Sequence, residues 1–87
     1  MAVTSLSILA RIEWCRRQRT QAHTEPALEG WRAEEEGLRD AFLRRDHTNH
    51  YRYSLPSVFM RYAMGFEDGQ ALIRLAWVDR HVATSRP

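Results

Sequence analysis

The chain has 87 residues, 44% of them hydrophobic and 28% charged, a composition typical of one small globular domain rather than of a disordered segment. The net charge of +2 at pH 7 is too small to indicate a nucleic-acid-binding protein, and no apolar run approaches the roughly 20 residues of a membrane-spanning helix. The first residues lack the basic segment of a secretory signal, and the single Cys15 permits no internal disulfide. We therefore expect one cytoplasmic domain over residues 1–87 that does not contact a membrane.

All 13 basic side chains are arginine, and they are unevenly distributed along the chain. Residues 1–23 hold four Arg and one Glu, whereas residues 24–46 hold four Arg and seven acidic residues. Adjacent segments of opposite charge predict a pair of helices that neutralise one another.

A first helix is predicted over about residues 5–21, because apolar side chains recur there at helical spacing (Ile8, Leu9, Ile12 and Cys15). The stretch QAHTEP ends this helix. Thr24 is a candidate N-cap for the next helix, and Pro26 stands in the first turn, where a missing N–H is tolerated.

The second helix is predicted to run to about Arg45 and to carry two stripes. One stripe is large and apolar (Leu28, Trp31, Leu38 and Phe42), and the other is small (Gly30, Ala33, Gly37 and Ala41). Glycine inside a helix costs about 1 kcal/mol relative to alanine, so the small stripe indicates close approach by a neighbouring backbone. The outer face is charged (Glu29, Arg32, Glu36, Arg39 and Asp40), with i,i+4 pairs expected at Glu35–Arg39 and Asp40–Arg44. Glu35 also falls on the apolar arc, so we expect it to be interfacial or paired with an arginine.

Two further helices complete the prediction. The third begins near Pro56 and ends at about Met64, with Gly65 as its stop. The fourth is capped by Asp68 and runs to about residue 83, with one apolar face (Ala71, Leu72, Leu75, Val78 and Val82). Residues 84–87 are expected to be a frayed tail. The predicted fold is an all-α bundle of about four short helices.

An α+β fold is the alternative. YRYSL and ALIRLAWV both alternate apolar and polar residues, so short strands near residues 50–55 and 71–78 fit the pattern as well, and AVTSLSIL could add a third. The caps and stops around residues 56–83 favour helices.

The motifs do not predict a catalytic or metal-binding site. His47 and His50 are three residues apart and could share a helical face, but zinc sites need three or four ligands, so we predict no metal site and no cofactor. The sequence contains no Gly-rich phosphate loop, GxSxG or HExxH motif. Cys15 lies on an apolar stripe, where a thiol is more often a small hydrophobe than a nucleophile. The stretch DHTNHYRY (residues 46–53) fits a polar joint between helices, and we expect no enzyme.

Two binding functions remain. The first is nucleic-acid binding through the basic cluster WCRRQR, with Arg16, Arg17 and Arg19 gripping phosphate. The second, which we favour, is protein binding, because apolar side chains occur off the predicted core stripes and Trp, Tyr, Met and Arg are enriched at strong interfaces. The chain is then a small regulator or inhibitor of a larger protein complex, or a homo-oligomer. The predicted contact residues are Trp14, Tyr51, Arg52, Tyr53, Met60, Met64, Ile73 and Trp77.

Overall fold

The structure is a computed structural model that describes the backbone of residues 3–84 and the side chains of residues 7–77. It contains four helices in the order α1 (Val3–Thr20), α2 (Glu25–Leu43), α3 (Thr48–Tyr51) and α4 (Pro56–Thr84). The predicted all-α bundle is confirmed. The α+β alternative is wrong, because residues 3–84 contain no strand and residues 71–78 lie within α4. Residues 85–87 of the predicted frayed tail lie outside the described residues.

The boundaries of α1 and α2 follow the sequence closely. Thr24 is the N-cap of α2: its backbone is extended, and its hydroxyl oxygen accepts a hydrogen bond from the Ala27 N–H at 3.3 Å. Pro26 lies in the first turn, as predicted. A capping side chain of this kind satisfies one of the N–H groups that have no partner inside the helix.

The C-terminus of α2 ends at a residue with left-handed backbone. Arg44 has φ 57° and ψ 43°, a conformation that usually selects glycine. The Arg45 N–H donates to the Asp40 carbonyl at 2.8 Å, and the Arg44 N–H donates to the Ala41 carbonyl at 3.4 Å. The predicted ion pair between Asp40 and Arg44 is not found, because the helix has ended before Arg44; Arg45 instead lies 3.5 Å from Asp40.

The predicted third and fourth helices are one helix. α4 continues for 29 residues, about 43 Å at 1.5 Å per residue, through both the expected stop at Gly65 and the expected cap at Asp68. These two assignments are wrong for a physical reason. Gly65 has ordinary backbone angles and is needed for close packing, and the Asp68 carboxylate pairs with Arg11 at 2.9 Å.

α2 and α4 are parallel and packed backbone to backbone. The register runs in the same direction along both helices, since Gly30 lies beside Arg61, Gly65 beside Glu34 and Gly69 beside Ala41. A Cβ atom added to Gly65 would overlap the Glu34 carbonyl oxygen and lie 2.9 Å from its carbon. The predicted close approach along the small-residue stripe of α2 is therefore confirmed, and residues 44–55 carry the chain back to the start of the second parallel helix.

α1 packs antiparallel to α2 and covers one side of it. One buried cluster joins α1 to α2 (Ile8, Ile12, Cys15 and Leu38), with Trp31, Leu72 and Ile73 packed against it. A second cluster joins α2 to α4 (Ala33, Val58 and Tyr62), with Tyr51 and Phe66 packed against it. The two clusters lie on either side of α2, which is the central helix.

Candidate functional site

The arginines at the end of α1 are paired with a buried carboxylate of α2. Arg16 Nε lies 3.2 Å from Glu35 Oε2, and Arg19 Nη1 lies 3.2 Å from Glu35 Oε1. Arg39, one turn further along α2, lies 2.8 Å from the same carboxylate, whose side chain is only 5% exposed. The expectation that Glu35 pairs with arginine is confirmed, and so is the neutralisation of the basic segment by the acidic one. Arg17 is exposed and has no ion pair among the described side chains.

Glu34, the neighbour of Glu35 on α2, forms a second set of ion pairs, which joins α2 to both α1 and α4. Its carboxylate lies 3.2 Å from Arg61 and 3.3 Å from Arg11, and it accepts a long hydrogen bond of 3.5 Å from the Cys15 thiol. Burial, with the negative charge of Glu34 beside it, raises the pKa of Cys15 to about 12. The thiol therefore stays protonated at neutral pH, and a buried protonated thiol is a poor nucleophile.

Trp14 is anchored on the bundle by one edge. Its ring packs at 85° against Trp31 with 5.0 Å between centroids, and the Arg11 guanidinium lies 5.6 Å from the Trp14 centroid. The side chain remains 40% exposed. Part of the ring is therefore available to a partner, on the same side of α1 as Arg17.

A polar network connects α2 to the segment that follows it. The Tyr51 hydroxyl donates to Glu36 Oε1 at 2.6 Å, and the Tyr62 hydroxyl donates to Asp40 Oδ2 at 2.8 Å. His47 Nδ1 lies between the two carboxylates, 2.7 Å from Asp40 Oδ2 and 3.2 Å from Glu36 Oε2. The His47 backbone N–H donates to the Tyr62 oxygen at 2.7 Å, so His47 ties the segment between α2 and α4 (residues 44–55, the return segment) to both helices.

Burial in this network corrects one expectation. Asp40 was predicted on the charged outer face of α2, but it is 0% exposed. The reason is tertiary, because the return segment places His47 against the carboxylate and α4 places Tyr62 there. Burial and the nearby carboxylates raise the pKa of Tyr51 and of Tyr62, so both phenols remain hydrogen-bond donors at neutral pH.

The DHTNHYRY stretch has the geometry of a joint between helices. Asp46 Oδ1 accepts hydrogen bonds from the backbone N–H and the hydroxyl of Thr48 at the start of α3, and these bonds lower the pKa of Asp46. His50 is exposed, with its ring centroid 6.1 Å from that of His47. Arg52 and Tyr53 follow on the surface, and Tyr53 is 92% exposed.

One face of α4 presents apolar side chains to solvent. Met60 is 63% exposed, Met64 is 46% exposed, and Leu75 is 63% exposed. These positions differ by 4 and 11 residues, a spacing that places them on one side of a continuous helix. The expectation that Leu75 lies on the buried face is wrong. The phase of the helix is fixed by Ala76, which is 7% exposed and points inward.

The predicted contact residues divide into three groups. Met60 and Met64 share the exposed face of α4, and Trp77 is 53% exposed further along the same helix. Ile73 is half-buried and packs against the α1–α2 cluster, while Tyr51 is turned inward onto Glu36. The remaining three lie apart from this face, on α1 or on the return segment (Trp14, Arg52 and Tyr53).

A second apolar patch was missed by the sequence analysis. Leu9 is 59% exposed, Phe42 is 46% exposed and Leu43 is 50% exposed, and together with Ile8, Ile12 and Arg39 they line a groove between α1 and α2. Leu9 and Phe42 were assigned to core stripes. Leu43 lies off both stripes of α2, and it was the one signal in the sequence that could have indicated this patch.

Comparisons with protein-family models, with curated proteins and with solved structures gave no match to this chain. Among the described helices, none combines the length and the apolar character needed to span a membrane.

Proposed function

We propose that this protein is a small non-catalytic protein-binding module that regulates or inhibits a larger protein complex. Its contact surface is the outward face of α4, defined by Met60, Met64 and Leu75. The occupant of this face is an amphipathic helix of the partner protein, docked along α4.

The single observation that carries the proposal is the exposed apolar face itself. Met60, Met64 and Leu75 each leave about half or more of their surface in solvent, although the bundle has buried apolar clusters on both sides of α2. Small monomeric proteins seldom expose contiguous apolar patches larger than a few hundred Å². Methionine is also the side chain that adapts most readily to a partner surface, because it is unbranched and flexible.

Charges on this face favour a helical partner with charges of both signs. Glu67 and Arg74 are exposed, lie two turns apart on the same side of α4 as Met60, and have no ion pair among the described residues. A helix that docks antiparallel and carries the opposite arrangement would pair with both of them. A second copy of α4 meets this requirement, so homodimerisation uses the same surface.

The nucleic-acid alternative has less support. Arg16 and Arg19 are both within 3.2 Å of Glu35, so two of the three guanidinium groups of the basic cluster already pair with a carboxylate, which they share with Arg39. Releasing them for phosphate would leave the buried Glu35 carboxylate with Arg39 as the remaining arginine partner that the structure describes, which is costly. Arg17 alone offers a single exposed contact, too few for the electrostatic affinity that nucleic-acid binding requires.

The test is affinity capture of the tagged protein from nuclease-treated lysate of its native host, with three variants. Met64→Glu and Leu75→Glu place a charge on the proposed surface, and Gln21→Glu is the matched control, since it adds the same charge at an exposed position just after α1, away from the outward face of α4. Far-UV circular dichroism confirms that each variant is folded. Sedimentation of the purified wild type measures self-association separately.

The proposal expects one protein complex that wild type and Gln21→Glu retain and that Met64→Glu and Leu75→Glu lose. A dimer that Met64→Glu converts to a monomer would identify the second copy as the occupant. Equal retention by all four proteins would refute the surface. Recovery of nucleic acid without nuclease, lost in Arg16→Glu/Arg17→Glu, would replace the proposal with the alternative.

A further inference from the structure

The polar network between α2 and the return segment brings together three side chains that ligate metals. Glu36 and Asp40 are four residues apart on α2, and His47 approaches them from the segment after the helix. One ligand atom from each lies within 4.8 Å of the other two. The sequence spacing had linked His47 with His50, whereas the fold links it with two carboxylates.

We propose that Glu36, Asp40 and His47 form a binding site for a divalent first-row transition metal ion such as Zn²⁺. The ligand atoms are one oxygen from each carboxylate and His47 Nδ1. Water would complete the coordination of the ion.

The distances fit one shared ion. His47 Nδ1 lies 2.7 Å from Asp40 Oδ2 and 3.2 Å from Glu36 Oε2. Zinc bonds of about 2.0–2.2 Å to nitrogen and oxygen place neighbouring ligand atoms of a tetrahedral site about 3.4 Å apart, so His47 Nδ1 and Asp40 Oδ2 would separate by roughly 0.7 Å to admit an ion. Two carboxylates and one imidazole form a set that suits zinc better than a hard ion such as calcium, which prefers oxygen ligands alone.

An independent observation at Asp40 points to a cation. The Asp40 side chain is 0% exposed, and its Oδ1 is buried without a hydrogen bond. The basic groups beside the carboxylate are Arg45, 3.5 Å from Oδ1 on a side chain that is 52% exposed, and the His47 imidazole, 2.7 Å from Oδ2. A fully buried carboxylate beside a second carboxylate is costly unless positive charge compensates it, and a divalent ion supplies that charge.

The surroundings of the cluster resemble the outer shell of a metal site. Tyr51 holds one oxygen of Glu36 and leaves Oε2 facing His47, and Tyr62 fixes the orientation of Asp40. Hydrogen bonds of this kind orient ligating carboxylates, and removal of one typically weakens metal binding by about 10–100-fold.

The experiment titrates purified, metal-free full-length protein with Zn²⁺ by calorimetry and with Co²⁺ by visible absorption. We expect one ion per chain for wild type. Glu36→Gln and His47→Gln should each weaken the affinity by at least about 100-fold, and Tyr51→Phe by about 10-fold. The matched control is His50→Gln, an exposed histidine close to His47 but outside the cluster, and it should bind as wild type does.

The other outcomes overturn the proposal. Absence of binding by folded wild type would mean that the cluster is a hydrogen-bond network only. Equal binding by wild type, Glu36→Gln and His47→Gln would place the ion elsewhere, and loss in His50→Gln alone would identify adventitious binding at the surface. Circular dichroism of each metal-free variant separates loss of a ligand from loss of the fold. The result is independent of partner capture, so it stands or falls apart from the proposed function.

Discussion

Gly65→Ala is the change to which the parallel packing of α2 and α4 is most sensitive. A Cβ atom at this position would lie 2.9 Å from the Glu34 carbonyl carbon and 3.1 Å from its Cα, in addition to the overlap with the carbonyl oxygen. Ordinary contacts between carbon atoms are about 3.5–4.0 Å long, so the helices must separate by roughly 1 Å. All the obstructing atoms are backbone, and no side-chain rotation relieves the overlap.

The magnitude follows from two opposing terms. Alanine is favoured over glycine inside a helix by about 1 kcal/mol, whereas overpacking a tight interface costs about 1–3 kcal/mol, and more when only backbone can move. We expect a net loss of about 2–3 kcal/mol in the free energy of unfolding, equivalent to a fall in melting temperature of roughly 10–20 °C.

The assay is urea denaturation followed by far-UV circular dichroism, with Gly30→Ala as the matched control. A Cβ at Gly30 meets only the flexible Arg61 side chain, at 3.5 Å, so the same substitution should stabilise the protein by up to about 1 kcal/mol. The two variants should therefore shift the midpoint in opposite directions. A Gly65→Ala protein as stable as Gly30→Ala would refute the close parallel packing.

Three further predictions concern caps, charge and pH. Arg44→Gly should raise the free energy of unfolding by about 1 kcal/mol, because glycine adopts the left-handed conformation without strain, and urea denaturation should show no such gain for Arg45→Gly. Glu35→Gln should lower the free energy of unfolding by about 1–3 kcal/mol and make that free energy less dependent on salt concentration. The loss stays below that for a fully buried ion pair, because the arginines are partly exposed and can be hydrated. The pKa of Cys15 is raised in the folded state, so its contribution to stability is fully present below the thiol's ordinary pKa of 9.0 and is lost as the pH rises toward about 12. The urea concentration at the midpoint of unfolding should therefore decrease as the pH is raised from about 8 to about 10, and it should decrease less in Cys15→Ala. A midpoint that rises over this interval would contradict the buried position of the thiol.

Local signals predicted the first half of the fold well. Thr24 and Pro26 marked the start of α2 because capping depends on residues next to each other in sequence. The small-residue stripe of α2 also indicated a close neighbour from local sequence alone, because glycine inside a helix destabilises it and close packing must offset that loss of free energy. At Gly65 the same residue type was taken as a stop. Its true role depends on Glu34, which lies 31 positions earlier in the chain and enters no local pattern.

In the candidate sites, too, local patterns missed the features that depend on residues far apart in the chain. Met60 and Met64 were selected because they lie off the apolar stripe, and both are exposed. Leu75 was missed because residues 68–83 were treated as a separate helix, so the buried stripe that contains Val58 and Tyr62 was not continued to Ala76. Asp40 was placed in solvent because its neighbours on α2 are charged, whereas His47 of the return segment and Tyr62 of α4 cover it.

The most direct test of the proposed function is oxidative footprinting of α4 in the free protein and in the captured complex, read by mass spectrometry. Met60 and Met64 are 63% and 46% exposed in the free chain, so dilute peroxide should convert both to the sulfoxide readily. If the outward face of α4 binds the partner, both methionines become several-fold more resistant to oxidation in the complex. Oxidation of Met60 and Met64 at the same rate in the complex and in the free protein would show that the partner binds elsewhere and would contradict the proposed function.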